Sequence, residues 1–182
     1  MNIVISAHFD VARPIMSMKL DEGKLSGLVD NFAGVFVAYQ VHRKIGTPVY
    51  LTNYEERDYG GAIDVARRLD KKHTLVIVVD TILKSDVPSR KIASITNMYH
   101  LDNKEIKTQL GDKIHFIDGF FEKKEDETWI YGKKFGMKAF YFGVPIPKDY
   151  HMTNNSIELQ TIDGVAEALI NVIEWYQEKL NT

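Results

Sequence analysis

Five consecutive apolar residues, Leu75-Val76-Ile77-Val78-Val79, run without a polar break into Asp80. A strand with one wet face alternates apolar and polar residues, so an unbroken run predicts a strand buried on both faces, as in a parallel sheet covered by helices. The neighbouring text agrees. Ile3-Val4-Ile5, Pro48 to Thr52, Ile114 to Ile117 and Ala139 to Gly143 read as further short strands, and Ile92 to Asn97 as an edge strand. Helical spacing is predicted over Phe32 to Lys44, with Asp30 or Asn31 as cap and Gly46 as stop, and from Ala62 to about Leu69. It returns in a short polar helix from Asp102, over Asp126 to Phe135 before Gly136, and along a long amphipathic segment from Thr161 to Leu180. The text from Val11 to Ser26 is irregular. This βαβαβ order gives an α/β fold class: three layers, α/β/α, around a mostly parallel, mixed sheet.

The 182 residues, 45% hydrophobic and 26% charged, suit one globular domain over 1–182. A net charge of -2 with scattered Lys and Arg leaves no electrostatic footprint for nucleic acid or an anionic membrane, and Lys71-Lys72 and Lys123-Lys124 read as solvated turns. No run approaches a membrane span, and Met1 to Ser6 lacks the features of a signal peptide, so a soluble cytoplasmic protein is the expectation. With no cysteine, any metal must be held by His, Asp and Glu.

Several polar residues interrupt apolar runs: His8 and Asp10, Asp30, Glu55 and Glu56, Asp80, and His151. Most follow a strand directly, which in a parallel sheet brings them to one rim, where open α/β sheets bind ligands. Glu55-Glu56 is the most informative pair. Adjacent carboxylates repel, and they make chemical sense together if a cation neutralises one while the other takes up and releases a proton. Two imidazoles and three or four carboxylates form a nitrogen and oxygen donor set that suits zinc, in a number that suits two ions. His42, His73, His100 and His115 have no comparable setting and read as structural.

In order along the chain stand His8-Phe9-Asp10, Gly27-Leu28-Val29-Asp30-Asn31-Phe32-Ala33-Gly34, Glu55-Glu56 with Gly60-Gly61-Ala62, Asp80, and Tyr150-His151. This set resembles the co-catalytic di-zinc exopeptidase clan, which includes bacterial leucyl aminopeptidases, glutamate carboxypeptidase and the tetrahedral cytosolic aminopeptidases. The resemblance implies that Asp30 bridges two zinc ions, with His8 and Asp80 completing one site and Glu56 and His151 the other. It also implies that Asp10 orients His8 through the ring nitrogen facing away from metal, that Glu55 is the general base, and that the Asp30-Asn31 peptide bond is cis. Asp126 falls where some relatives place an acidic residue near the substrate amine; an acidic helix start over Glu125-Asp126-Glu127 is the plainer alternative.

The implied activity is that of a metal-dependent aminopeptidase acting on short peptides. A di-zinc hydrolase of another small amide, N-acyl or carboxypeptidase-type, and a metal-binding homologue without turnover are the alternatives, and cobalt or manganese would fit the same donors as zinc. The chain departs from the family in beginning at the His-x-Asp strand and in placing only Val11 to Val29 before the bridging Asp. The lid and dimerisation insert are therefore expected to be absent and the sheet smaller. Aromatic residues in predicted loops, Phe120-Phe121 and Trp129, point to association with a second copy.

Overall fold

The structure, a computed structural model, describes residues 1–12, 17–118 and 126–180. Its strands are β1 (Asn2–His8), β2 (Lys19–Asp21), β3 (Lys24–Gly27), β4 (Val49–Thr52), β5 (Thr74–Leu83), β6 (Ala93–Tyr99), β7 (Ile114–Phe116), β8 (Lys138–Ile146) and β9 (Asn155–Glu158). Its helices are α1 (Phe32–Ile45), α2 (Gly60–Arg68), α3 (Lys104–Leu110) and α4 (Leu159–Leu180), with a 3-10 turn over Lys84–Asp86 and a π-helix over Trp129–Lys134.

A six-stranded sheet has the order β4-β1-β5-β8-β6-β7. The first four strands are mutually parallel; β6 runs antiparallel to β8, and β7 follows β6 in parallel. β5 is central and buried along nearly its whole length. Its Leu75, Ile77 and Val79 pack into a core with α1 and α4, while Val76 and Val78 pack on the other face with α2 and the π-helix. The α/β/α layering follows: neither face of such a strand can be left to water.

The chain departs from the sequence reading in five places. The segment read as irregular contains β2 and β3, which with β9 form a separate three-stranded antiparallel sheet. β2 is exposed at every position, so it has no apolar alternation to betray it. β6 is not an edge strand, since β7 lies outside it. β5 does not stop at Asp80 but continues to Leu83, because β8 pairs with it as far as Leu83–Ile146. The segment after Asp126 forms only the short π-helix, stopped at Gly136, whose φ of 67° is left-handed. Trp129 is half-buried against the second core rather than displayed in a loop. Phe120-Phe121, Lys123-Lys124 and Glu125 lie outside the described residues.

Candidate metal centre

The site is assembled where β1 ends. β1 and β5 pair in parallel as far as Ser6 and Val78, and two further residues along that register bring His8 beside Asp80. His8 Nε2 lies 3.3 Å from Asp80 Oδ1 and 3.5 Å from Asp30 Oδ1.

Asp30 comes from the turn before α1. Asn31 caps that helix, its Oδ1 accepting from Gly34 N at 3.1 Å, and its Nδ2 donates to the Val79 carbonyl of β5 at 2.8 Å. A side chain at Gly34 would collide with both Asn31 and the Val79 carbonyl, so only glycine lets the helix start come this close to the sheet. The Asp30-Asn31 peptide bond is cis. Thr81 Oγ1 donates to Asp30 Oδ1 at 2.9 Å, and Thr81 N donates to Asp80 Oδ1 at 2.7 Å.

Glu55 and Glu56 sit in the turn that follows β4. The Tyr54 carbonyl accepts from Asp58 N at 3.1 Å and Tyr59 N at 2.6 Å, and both Tyr54 and Tyr59 hold a left-handed φ of 61°. Non-glycine residues in that region cluster at functional sites. Gly61 lets α2 abut the turn, because a Cβ there would lie 2.5 Å from Asn53 N. Glu55 N donates to Asp10 Oδ1 at 3.2 Å, so the residue that flanks His8 also tethers the glutamate turn.

His151, after β8, reaches back to this turn: its Nε2 is 3.3 Å from Glu56 Oε1 and 3.7 Å from Asp30 Oδ2. The two oxygens of Asp30 thus face two different sets, His8 with Asp80 and Glu56 with His151. In each set one donor atom per residue lies within 4.8 Å of the others, close enough for a metal ion to be shared. His8 Nδ1 points the other way, 3.2 Å from the Asp10 carbonyl and 3.5 Å from its carboxylate, so backbone and side chain of Asp10 both fix the ring.

The electrostatics match a cation centre. Burial pushes the Glu55 carboxyl up to about 9, reinforced by Asp80, Glu56 and Glu127 and opposed by His8. Asp80 is pushed up to about 7 by burial and by Asp30, against the pull of His8. Burial alone would lower His8, but Asp80 and contacts with Asp10 and Asp30 outweigh it and raise the imidazole well above its usual value. Carboxylates crowded around two imidazoles lack positive charge, and divalent cations supply it.

Asp126 lines the same cleft and is buried, with both carboxylate oxygens engaged: Oδ1 accepts from Thr128 N at 2.6 Å and from the Thr128 hydroxyl, Oδ2 from Asn97 Nδ2 at 2.8 Å. Glu127 is buried beside it and accepts from Ser6 Oγ at 2.7 Å, so neither belongs to an exposed acidic helix start. His42, His73 and His100 bond Thr47, Asp70 and Gly132. His115 differs from the reading: it lines the cleft, from β7, where a three-residue strand carried no signal of where its side chain would point.

No family model matches the sequence, and no curated protein matches it. Solved structures do match in fold. The TET1 peptidase of Pyrococcus horikoshii, which can assemble into a tetrahedron or a large octahedral shell, aligns with TM-score 0.58 at 14% identity over 86% of this chain and 52% of that one. The aminopeptidase APDkam598 of the archaeon Desulfurococcus kamchatkensis aligns with TM-score 0.55 at 17% identity over 84% and 49%. Yeast aminopeptidase 1 aligns with TM-score 0.54 at 12% identity over 88% and 48%. The chain spans about half the length of these peptidases, and within that half it has their α/β fold.

Proposed function

We propose that the protein is a di-zinc aminopeptidase that releases N-terminal residues from short peptides. The observation that carries this reading is the Asp30 carboxylate, whose two oxygens address two His-carboxylate sets at one sheet rim, with Glu55 beside them. The aminopeptidase fold of the structural neighbours supports it. His8, Asp30 and Asp80 would hold one ion, and Asp30, Glu56 and His151 would hold the other; the nitrogen and oxygen donors favour zinc, with cobalt or manganese as substitutes. Bound there, such ions polarise a carbonyl and make water acidic near neutral pH.

The chain's own residues do the rest. Positive charge at the site opposes the upward push on Glu55, leaving its carboxylate able to accept a proton from the attacking water. The same carboxyl then donates that proton to the leaving nitrogen. Asp10 is a positioning residue: it fixes the His8 ring on one side and the Glu55 backbone on the other.

The reading includes self-association, in keeping with the assemblies of the Pyrococcus peptidase, and a cytoplasmic setting, in keeping with a cysteine-free chain. Among the described residues no helix is long and apolar enough to cross a membrane.

Metal analysis joined to an amide panel tests the function. Two ions per chain and cleavage of amino-acyl substrates alone is the result expected. Cleavage confined to N-acylated substrates would replace the aminopeptidase with another amide hydrolase, and bound metal without any turnover would remove the enzyme.

A further inference from the structure

Next to Asp126, which lines the cleft, stands a carboxyl group that the proposed chemistry does not use. Glu127 is 1% exposed, and its Oε2 accepts from Ser6 Oγ at 2.7 Å. The Tyr131 hydroxyl lies 2.9 Å from the same Ser6 oxygen; with the Ser6 proton committed to Glu127, Tyr131 is the donor. The other carboxyl oxygen, Glu127 Oε1, is buried with no hydrogen-bond partner, and the Thr52 hydroxyl is buried in the same condition. Burial pushes the Glu127 carboxyl up, opposed by the hydroxyls of Thr52 and Ser6, so Thr52 stands near the carboxyl without closing a hydrogen bond. A buried carboxyl with one oxygen unpaired is costly to keep. An apolar side chain of similar shape would fill the space without that cost, so Glu127 calls for a reason other than stability.

Its placement supplies one. Ser6 lies two residues before His8 on β1, so the two side chains share a side of the strand, and Thr52 on β4 pairs with His8 directly. The Glu127 carbonyl accepts from Ile130 N at 3.0 Å and from Tyr131 N at 3.2 Å. The residue that starts the π-helix by its backbone therefore fastens it to β1 by its side chain. At β6 the neighbouring Asp126 makes the matching attachment through Asn97, and a Cβ at Gly132 would overlap the Tyr99 ring of that strand. β5 and β8 lie between β1 and β6. The π-helix and the residues before it are thus pinned on both sides of a four-strand span, and β5 within that span carries Asp80.

We infer that Glu127 is a positioning residue for the metal centre: by tying the π-helix to Ser6 it holds the end of β1, and with it His8, in place beside Asp80. The inference rests on the proposed metal-dependent reading and adds a residue to it. Glu127 acts through geometry, so a neutral side chain that keeps the Ser6 hydrogen bond does the same work.

The test is a calorimetric zinc titration of the full chain after chelation, with the melting temperature in chelator measured alongside. The double variant Ser6→Ala/Glu127→Met removes both hydrogen-bonding partners and puts an unbranched apolar chain in the space. It should melt no lower than the parent, because exchanging both partners of a buried pair for apolar groups is close to neutral. It should nevertheless bind zinc about tenfold or more weakly, the scale on which groups supporting a metal ligand act. Glu127→Gln, which still accepts from Ser6, should keep the parent's affinity, and Ser6→Ala alone should weaken zinc as the double variant does. Parent affinity in the double variant would overturn the inference. So would a fall in melting temperature that accompanies the loss of zinc, which is the mark of a merely structural group, or a Glu127→Gln variant as weak as the double, which would make charge rather than position the cause. Turnover of amino-acyl amides is scored separately. The predicted zinc ranking without turnover in any chain would uphold the positioning role and count against the hydrolase reading, whereas turnover with a flat zinc ranking would do the reverse.

Discussion

The two halves of the candidate centre are built differently. His8, Asp30 and Asp80 are buried, with His8 only 3% exposed, and two of the three are carried by the paired strands β1 and β5. The other half adds Glu56 from a turn and His151 from the segment after β8, and the His151 side chain is 47% exposed. Groups on packed strands keep their geometry, whereas groups on loops can move apart at small cost. A buried, pre-positioned half and an open, adjustable half share one carboxylate. The first is suited to holding an ion tightly, the second to exchanging ligand and water.

Asp30→Asn should have the largest effect, because it removes charge from both halves at once. Metal stoichiometry should fall from two toward zero and turnover to background, a loss beyond the roughly 10–100-fold typical of residues that merely support a ligand. Retention of one tightly held ion would show that the halves are independent. Glu55→Gln should lower turnover by about 10²-fold or more while both ions stay bound, the range usual for general acid–base catalysis. Elemental analysis beside steady-state rates checks this, and unchanged rates would remove Glu55 from the chemistry.

The halves are compared directly by His151→Ala and His8→Ala. The first should leave one ion bound and leave a chelator the slower task of extracting it; the second should disturb the whole centre, since His8 contacts both Asp30 and Asp80. Equal extraction rates in the two variants would erase the proposed asymmetry.

The smallest effect is on stability. Burial and neighbouring carboxylates hold Glu55 up to about 9 and Asp80 up to about 7, and His8 is raised as well. Groups raised in the folded state bind protons more tightly folded than unfolded, so their stabilisation is present below the unfolded values and lost as pH climbs through the folded ones. In chelator, the melting temperature should therefore fall between about pH 5 and pH 9. Zinc should oppose that fall, because its ligands must be deprotonated and its stabilisation grows with pH. Parallel melting curves with and without zinc would contradict the role of these groups.

Local pattern carried much of this molecule. The apolar run into Asp80 announced a strand with two buried faces, and β5 is that strand. Gly46, in a left-handed conformation with φ of 73°, ends α1 at the place its sequence position suggested. His8, Asp10, Asp30, Glu55, Glu56, Asp80 and His151 were all legible as polar residues breaking apolar text, and they stand together at one rim. The pairing of strands was not legible. Whether β6 runs with or against β8 depends on a partner more than forty positions away in the chain, and three-residue strands such as β2 and β7 are too short to show a period.

The buried Glu127 likewise takes a hydrogen bond from Ser6, 121 residues away in the chain, which no local window can contain. Sequence alone determined which residues are apolar on which period, where helices stop, and which polar side chains interrupt the strands. Only the tertiary structure decided that one oxygen of Asp30 faces His8 while the other faces His151, and that Ile117 and Ile82 wall the same cleft. The physical reason is that periodicity records which side of an element is buried, whereas strand order, strand direction and the aim of a carboxylate are fixed by contacts between segments remote in the chain.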